Sequence, residues 1–308
     1  MTISISDGVS RRAFLGAAAG AWIVGSAHPL LAAPAPLVDA LAFAGNAVLA
    51  AGNGLWRSDD GGESWHETTG PDKQPRALTA HPERPGRVIA ALDGGGLAVS
   101  EDAGASWRDA GSVLPTASIC ALTTAATLPD TLYAAVAGDG LWRSEDAGES
   151  WEFVMDRPFL AGAERDVLSL ASVDAASGMG GIWLYAGTTA GLQRVPDCFC
   201  RWQDVQRGDA LDALVEGGEE PEIAPLPAGE PVRALVSSAT APGRLYAALP
   251  SGTWATTDAG VIWQKASDLD AITLAIDPAA PLSLVAATKR GLTLSRDGGK
   301  TWAAGAVL

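Results

Sequence analysis

The chain has 308 residues, with 21 Lys and Arg against 36 Asp and Glu, which gives a net charge of −15 at pH 7. A surface this acidic repels the phosphates of nucleic acids and the headgroups of anionic membranes, so neither is expected as a partner. The length is sufficient to bury one large core.

Residues 1–35 are predicted to be an export leader. Residues 10–15, Ser-Arg-Arg-Ala-Phe-Leu, resemble the twin-arginine export consensus, and an apolar run leads from them to a small-x-small cleavage site at residues 33–35. Three glycines and a proline interrupt the run, which makes a permanent membrane anchor the less favoured alternative. Cleavage leaves 273 residues, 19 basic and 35 acidic, with a net charge of −16. The predicted location is the periplasm or the cell exterior, without a membrane span after cleavage.

Six copies of one short phrase follow the leader. Five copies read Ser/Thr-x-Asp-x-Gly-x-x-Trp, and a degenerate copy has Val195 and Phe199 in place of the hydroxyl residue and the glycine. Asp, Ser and Thr side chains bond backbone N–H groups in tight turns, Gly takes the positive φ of a hairpin corner, and Trp buries a large ring between units. We therefore predict structural roles for Asp60, Asp102, Asp146, Asp197, Asp258, Asp297, Trp65, Trp107, Trp151, Trp202, Trp263 and Trp302.

Each copy closes a unit of four strand-like pieces. The first piece is apolar and falls at residues 40–43, 76–79, 119–122, 167–170, 233–236 and 272–275. The second piece is rich in alanine and falls at residues 48–51, 88–91, 132–135, 184–187, 245–248 and 284–287. A glycine-containing turn leads into the third piece, and the tryptophan begins the fourth. Small alanine side chains suit the crowding of sheets around a central axis.

The repeat pattern predicts an all-β chain. Short strands joined by tight turns, with tryptophans 39 to 61 residues apart, are typical of β-propellers. We predict a single propeller over residues 36–308 with six four-stranded blades. A seventh, irregular blade within residues 206–231 is the alternative.

The repeated phrase resembles the Asp-box, also called the bacterial neuraminidase repeat. This resemblance implies that each box is a structural hairpin between the two outer strands of a blade, away from the ligand face. Sialidases share the box, but their Arg-Ile-Pro motif is missing here, and Tyr133, Tyr185 and Tyr246 occupy one position of the second strand, which favours core packing. Xyloglucanase-type glycosidases resemble the chain too, although they have two larger propellers with a cleft between them. Photosystem II assembly-factor propellers, which bind proteins, are closer in size but have seven blades.

The ligand face of a propeller is formed by the loops between blades and between the second and third strands. In this chain those loops carry eight charged candidates for ligand binding, which are Arg76, Asp93, Asp139, Arg165, Asp166, Arg233, Lys289 and Arg290. Arg76 and Arg233 begin equivalent strands, so they could converge on the channel and bind an anion. Neutralisation of nearby aspartates is the alternative. No residue is assigned a catalytic role.

Two further segments have alternative interpretations. Residues 206–231 are acidic and rich in proline, which is typical of a solvated loop or of an acidic arm that binds a basic partner. Cys198 and Cys200 flank Phe199 and either pair or stay free, whereas Cys120 lies in an apolar stretch and is expected in the core. Only His66 and His81 remain as histidines after cleavage, so no metal site is predicted.

These observations predict an exported, non-enzymatic propeller that binds a protein partner. It would act as a scaffold or as an assembly or stability factor, with a periplasmic redox complex as one candidate. The export resemblance implies cargo that carries a cofactor or travels with a partner that does, and no cofactor of its own is predicted for this chain. The alternative is a glycoside hydrolase or lyase that uses Asp93, Asp139 and Asp166.

Overall fold

The computed structural model describes residues 37–110, 114–115, 117–125, 127–175, 181–205, 226–305 and 308. All of them belong to one compact unit, residues 34–308. The predicted leader, residues 1–35, and residues 206–225 of the acidic insertion lie outside the described residues. The described ranges contain no helix with the length and apolarity needed to cross a membrane.

Twenty-four of the 26 described strands form six antiparallel sheets, each made of four strands consecutive in the chain. Blades 1 to 3 consist of β1 (Val38–Ala44), β2 (Ala47–Gly52), β3 (Leu55–Ser58), β4 (His66–Thr68), β5 (Pro75–Ala80), β6 (Val88–Leu92), β7 (Leu97–Ser100), β8 (Arg108–Asp109), β9 (Ile119–Thr124), β10 (Leu132–Val136), β11 (Gly140–Ser144) and β12 (Glu152–Asp156). A separate hairpin follows, formed by β13 (Phe159–Leu160) and β14 (Ala163–Glu164). Blades 4 to 6 consist of β15 (Val167–Val173), β16 (Trp183–Thr188), β17 (Gly191–Pro196), β18 (Gln203–Asp204), β19 (Ala234–Ser237), β20 (Leu245–Leu249), β21 (Gly252–Thr256), β22 (Gln264–Ser267), β23 (Thr273–Ile276), β24 (Leu284–Thr288), β25 (Gly291–Ser295) and β26 (Ala303–Ala304).

The six sheets close into a ring, which confirms the prediction of a six-bladed propeller. The first strand of each blade lies beside the first strands of its two neighbours, and β23 of blade 6 lies beside β1 of blade 1. No strand is exchanged between the described sheets, so side chains close the ring. Leu294 of blade 6 packs with Val48 and Trp65 of blade 1, and Arg296 forms an ion pair of 2.6 Å with Glu63.

The loops are divided between two faces. Because successive strands alternate in direction, the loop between the first and second strands and the repeated turn between the third and fourth lie on one face, here called the Asp-box face. Hydrogen bonds join these two loops within a blade: Ala103 N donates to Gly86 O at 2.7 Å, and Ala147 N donates to Asp130 O at 2.8 Å. The remaining loops form the opposite face, here called the upper face.

Six apolar clusters hold the ring together, and each one joins two adjacent blades. Each of the six predicted tryptophans lies in the cluster between its own blade and the preceding one. Trp263 is completely buried in this position. The alanines of the second strands are buried as well, and Gly187 has no room for a side chain because a Cβ there would lie 2.3 Å from Ser169 Oγ. The predicted crowding of the second strand is confirmed.

Each intact repeat folds into a cage around its aspartate. In blade 1, Ser58 Oγ donates to Asp60 Oδ1 at 2.7 Å and accepts a bond from Gly62 N at 2.8 Å. Asp60 also accepts bonds from the N–H and the hydroxyl of Ser64, and Trp65 Nε1 donates to Gly62 O. In blades 2, 3, 5 and 6 the aspartate likewise accepts bonds from the hydroxyl two residues before it and from the N–H four residues after it. The carboxylate therefore satisfies turn donors that would otherwise face solvent.

The glycine of the repeat lies against the preceding blade. A Cβ at Gly104 would lie 2.7 Å from both terminal methyls of Leu49 in blade 1, and one at Gly260 would lie 2.9 Å from the ring of Tyr185 in blade 4. Both glycines have positive φ, +86° and +98°. The glycine is needed for two separate reasons, the backbone conformation and the close approach of the neighbouring side chain.

The degenerate repeat of blade 4 uses different contacts. Phe199 takes the glycine position with φ +50°, and its ring lies 5.9 Å from that of Tyr133 in blade 3. A disulfide joins Cys198 to Cys200 across the turn, which decides between the two alternatives for these cysteines. Trp202 Nε1 donates to Asp156 O of blade 3 at 2.8 Å instead of to its own turn. The disulfide and the aromatic contact thus occupy the place of the carboxylate cage.

The cage makes stability depend on pH. Bonds from the hydroxyl and then the N–H of Ser106 lower the pKa of Asp102 from 3.8 to about 2. Because the folded chain holds this carboxylate ionised more strongly than the unfolded chain does, Asp102 adds to the free energy of unfolding above pH 4. At pH 3 this contribution is roughly half as large. We expect Asp102→Asn to lower the melting temperature by about 2–4 °C at pH 6. The difference in melting temperature between the variant and the native chain is expected to become smaller as the pH falls to 3.

Asp197→Asn is the matched control, because Asp197 lies in the degenerate repeat. Thermal unfolding of both variants between pH 6 and pH 3, followed by circular dichroism, checks the expectation. The role given to the ionised carboxylate would be contradicted if Asp102→Asn lowered the melting temperature equally at every pH. It would also be contradicted if Asp197→Asn lowered the melting temperature as much as Asp102→Asn does.

Candidate functional site

Two of the predicted ligand-face residues, Arg76 and Asp93, contact each other on the upper face. Arg76 Nε bonds Asp93 Oδ1 at 3.2 Å, and its Nη1 bonds Asp39 Oδ2 of blade 1 at 2.9 Å. The bond to Asp93 is the main cause of a raised Arg76 pKa. This arginine therefore bridges two carboxylates and has little positive charge left for an anionic ligand.

A second group of charged residues fixes the β13–β14 hairpin. Arg157 bonds Asp166 Oδ1 at 3.2 Å and Glu164 Oε2 at 2.5 Å, and the bond to Asp166 is the main cause of a raised Arg157 pKa. Asp166 also accepts a bond from Gly138 N at 2.9 Å. Arg165 turns back into the hairpin, where its Nε donates to Leu160 O at 3.3 Å. These residues position the hairpin on the upper face.

The other predicted candidates lie apart. Asp139 Oδ2 accepts a bond of 2.6 Å from the indole of Trp142, and Arg233 pairs with Asp270 of blade 6. Blades 2 and 5 are opposite each other in a ring of six, so Arg76 and Arg233 belong to separate ion-pair groups. Lys289 and Arg290 are exposed on the turn between β24 and β25.

The β13–β14 hairpin exposes an aromatic ring. The Phe159 residue is 63% exposed, the highest value among the large apolar residues described as exposed, while its backbone oxygen accepts a bond from Gln193 Nε2 of blade 4. The hairpin is bonded to blade 4 at its base and presents Phe159 to solvent. An exposed aromatic ring on an anchored element offers a large apolar contact at a fixed position, so Phe159 is a candidate contact for a partner.

A cavity of about 240 Å³ occupies the half of the central channel nearer the Asp-box face. Each first strand contributes one buried leucine to its wall, namely Leu41, Leu78, Leu122, Leu170, Leu235 and Leu274. Loop residues such as Pro85 and Pro278 form the mouth. None of the eight predicted ligand-face residues lines this cavity, because they lie at the opposite ends of the strands.

Hydroxyl groups on the cavity wall link neighbouring blades. Ser172 Oγ of blade 4 donates to Thr124 O of blade 3, and Ser237 Oγ of blade 5 donates to Ser172 O, both at 2.7 Å. Thr124 Oγ1 donates in the same way to Ala80 O of blade 2 at 3.1 Å. At the equivalent position, blade 1 has Phe43. The wall therefore has a hydroxyl-bearing sector and an apolar sector.

His81 is the one titratable side chain among the described residues of this wall, and it is buried. Its Nδ1 accepts bonds from Glu83 N at 3.1 Å and from Arg84 N at 3.0 Å. Burial and then the positive charge of Arg84 lower the His81 pKa. The imidazole is consequently neutral at pH 7, so the described residues of the cavity wall carry no charge there.

Two further kinds of site, a reactive cysteine and a metal centre, have little support among the described residues. Cys120 is partly exposed at the start of the first strand of blade 3, not fully buried, and burial raises its pKa. The described residues contain no group of three or more His, Cys, Asp and Glu side chains that could hold a metal ion.

Comparison with known families identifies the repeat. A model of the BNR/Asp-box repeat matches residues 56–67, the third strand and repeated turn of blade 1. No curated protein matches the chain. The repeat is therefore recognised locally.

Solved structures show the same fold at low identity. The GH74 enzyme of Niastella koreensis is 14% identical over 88% of this chain and 45% of its own, with a TM-score of 0.60. A chain of a nidogen/laminin complex is 12% identical over 75% of this chain and 80% of its own, with a TM-score of 0.53. YCF48 from Cyanidioschyzon merolae is 14% identical over 88% and 85%, with a TM-score of 0.48, too low to support an argument. This chain thus spans less than half of the GH74 enzyme, and the likeness shows the β-propeller fold alone.

The sequence left two features unpredicted. The leucine ring repeats at one position of the first strand and could have been found by aligning those strands across the six units. The β13–β14 hairpin is signalled only by the 51 residues between Trp151 and Trp202, a longer interval than the 42 and 44 before it. Interval length alone does not show which side chain the extra residues expose.

The hairpin should depend on Arg157. We expect Arg157→Gln to leave two carboxylates close together without a cation, and therefore to accelerate amide exchange in residues 159–164. Global stability is expected to stay nearly unchanged, because exposed ion pairs contribute little to the free energy of unfolding. Hydrogen–deuterium exchange measured by mass spectrometry checks this, with Arg290→Gln as the exposed control. Unchanged exchange in residues 159–164 would contradict the anchoring role.

Proposed function

We propose that the chain is an exported, non-enzymatic β-propeller that binds a protein partner through its upper face. Phe159 carries the proposal, because a 63% exposed phenylalanine on a hairpin held by Arg157 and Gln193 has no role in the core. Buried aromatic residues frequently dominate the free energy of protein–protein interfaces. The chain from the nidogen/laminin complex, which has the same fold, belongs to a protein–protein assembly.

The charge of the chain supports a partner with a basic surface. The two described residues that flank the acidic insertion, Val205 and Leu226, lie on the same upper face beside blade 4. Ala228 approaches Gly191 of blade 4, as Leu160 of the hairpin does. In sequence the insertion carries Asp209, Asp212, Glu216, Glu219, Glu220 and Glu222. Complementary charge would accelerate association and select partners, while Phe159 would supply apolar contact.

Export by the twin-arginine route forms part of the proposal and rests on residues 10–15 and the apolar run after them. A role as a scaffold, or as an assembly or stability factor for a redox complex in the periplasm, suits a folded export substrate without a cofactor motif of its own. The partner would then be the component that carries the cofactor.

The enzymatic alternative depends on three upper-face carboxylates that the fold already uses. Asp93 neutralises Arg76, Asp139 accepts a bond from the Trp142 indole, and Asp166 accepts bonds from Arg157 and the Gly138 N–H. The likeness to a GH74 enzyme concerns the fold alone. We therefore do not propose a glycosidase or lyase activity.

Photo-crosslinking tests the proposed surface. With benzoylphenylalanine at position 159, we expect one crosslinked partner of defined mass in the periplasm of the native host, because the ring is placed at the interface. The matched control is position 128, since Leu128 is 55% exposed in the first loop of blade 3 on the Asp-box face. In a separate pull-down with affinity-tagged chains that carry no crosslinker, Phe159→Ser is expected to abolish recovery of the same partner, and Leu128→Ser is expected to preserve it. The same adducts from both positions, or none from position 159, would contradict the proposal.

A further inference from the structure

We propose that the cavity on the Asp-box face is a binding site for a small, uncharged organic molecule that combines an apolar body with a hydrogen-bond donor, such as a phenol or an alcohol. This site is separate from the proposed protein-binding surface, which lies on the upper face. Three properties of the wall define the ligand: its lack of charge, the direction of its hydrogen bonds and its division into two sectors.

The wall excludes charged ligands. Among the residues that the structure describes, the wall has no Asp, Glu, Lys or Arg side chain, although the mature chain has a predicted net charge of −16. Its one titratable residue, His81, has its Nδ1 occupied by the backbone N–H groups of Glu83 and Arg84. An ion in this cavity would lose its hydration without gaining a counter-charge, which is strongly unfavourable. An uncharged ligand does not meet that penalty.

Four hydroxyls of the wall, those of Thr124, Ser172, Ser237 and Ser238, donate their protons within the protein and remain as acceptors. Thr124, Ser172 and Ser237 give their hydroxyl protons to backbone carbonyls of the preceding blade. Thr240 Oγ1 donates to Pro278 O at 2.7 Å, so the bond of 3.0 Å between Ser238 and Thr240 carries the proton of Ser238. A hydroxyl that has donated its proton keeps a lone pair for accepting. At these four hydroxyls the ligand must therefore supply the donor.

The wall is divided along the ring. Blades 3 to 5 contribute Thr124, Ser172 and Ser237 at one strand position, whereas blades 1 and 6 contribute Phe43 and Ile276 at the same position. A molecule with its donor directed to blades 3 to 5 would place its apolar side against Phe43 and Ile276. The leucine ring would surround the apolar body from all six blades.

The volume limits the size of the ligand. About 240 Å³ is below the roughly 300–1,000 Å³ of pockets for drug-sized ligands. The cavity suits a molecule with one or two rings and is too small for an oligosaccharide or for a folded peptide segment.

Three probes with one shape and different polar groups test the proposal: 4-methylphenol, 4-methylanisole and 4-methylbenzoate. The full chain is labelled at the leucine methyl groups and titrated by NMR. We expect 4-methylphenol to shift the methyls of the leucine ring and to bind at least about fivefold more tightly than the other two, because it alone is uncharged and donates a hydrogen bond. Equal binding of 4-methylphenol and 4-methylanisole, shifts confined to leucines outside the ring, or no binding at millimolar probe would overturn the proposal.

Two serines of one strand give a matched pair of variants. Ser172→Ala removes an acceptor from the cavity, whereas Ser169→Ala removes a similar bond to the neighbouring blade, from Ser169 Oγ to Val232 O at 3.0 Å, outside the cavity wall. We expect Ser172→Ala to weaken 4-methylphenol binding about three- to tenfold and Ser169→Ala to leave it unchanged. Equal effects of both variants would mean that the fold, not the cavity wall, controls binding, and would overturn the proposal.

Discussion

The close approach of each blade to the turn of the next is the constraint on which the structure depends. Leu49 lies against Gly104, and Tyr185 lies against Gly260, at distances that leave no room for a Cβ. The aspartate cage fixes the turn so that its glycine can face the neighbouring blade and its tryptophan can enter the apolar cluster between them. Because the described sheets exchange no strand, these contacts and the clusters around them must close the ring.

This constraint separates structural from functional surface. On the Asp-box face, the side chains of the repeated turns form hydrogen bonds that stabilise the turns. The central cavity of this face is lined by the six equivalent first strands. The upper face carries the described loops that differ most between blades, including the β13–β14 hairpin and the two ends of the acidic insertion at Val205 and Leu226. Variation in loops on a repeated scaffold is where binding specificity usually resides. The proposed partner surface and the proposed small-molecule site therefore lie on opposite faces.

The sequence could predict the blades because each one repeats a local rule. The six tryptophans, the alanine-rich second strands and the aspartate turns are determined by contacts within eight residues or with an equivalent neighbouring unit, so periodicity reveals them. The site depends on contacts that do not repeat. Arg76 and Arg233 begin equivalent strands, but Asp39 neutralises one from the preceding blade and Asp270 neutralises the other from the following blade. The exposure of Phe159 depends on the path of one irregular hairpin, which no repeat encodes.

The most direct test of this account compares two glycines of blade 2. A Cβ at Gly104, φ +86°, would meet Leu49, whereas a Cβ at Gly94, φ +72°, would have no neighbour within 4 Å. Both alanine variants incur the cost of a positive φ, so their difference isolates the contact between blades. Denaturant unfolding should show Gly104→Ala to be less stable than Gly94→Ala by about 1–3 kcal/mol. The cost of Gly104→Ala should be smaller when it is measured in a Leu49→Ala background, because the clashing methyl groups are then absent. Equal destabilisation by the two substitutions would contradict the claim that this contact holds the ring together.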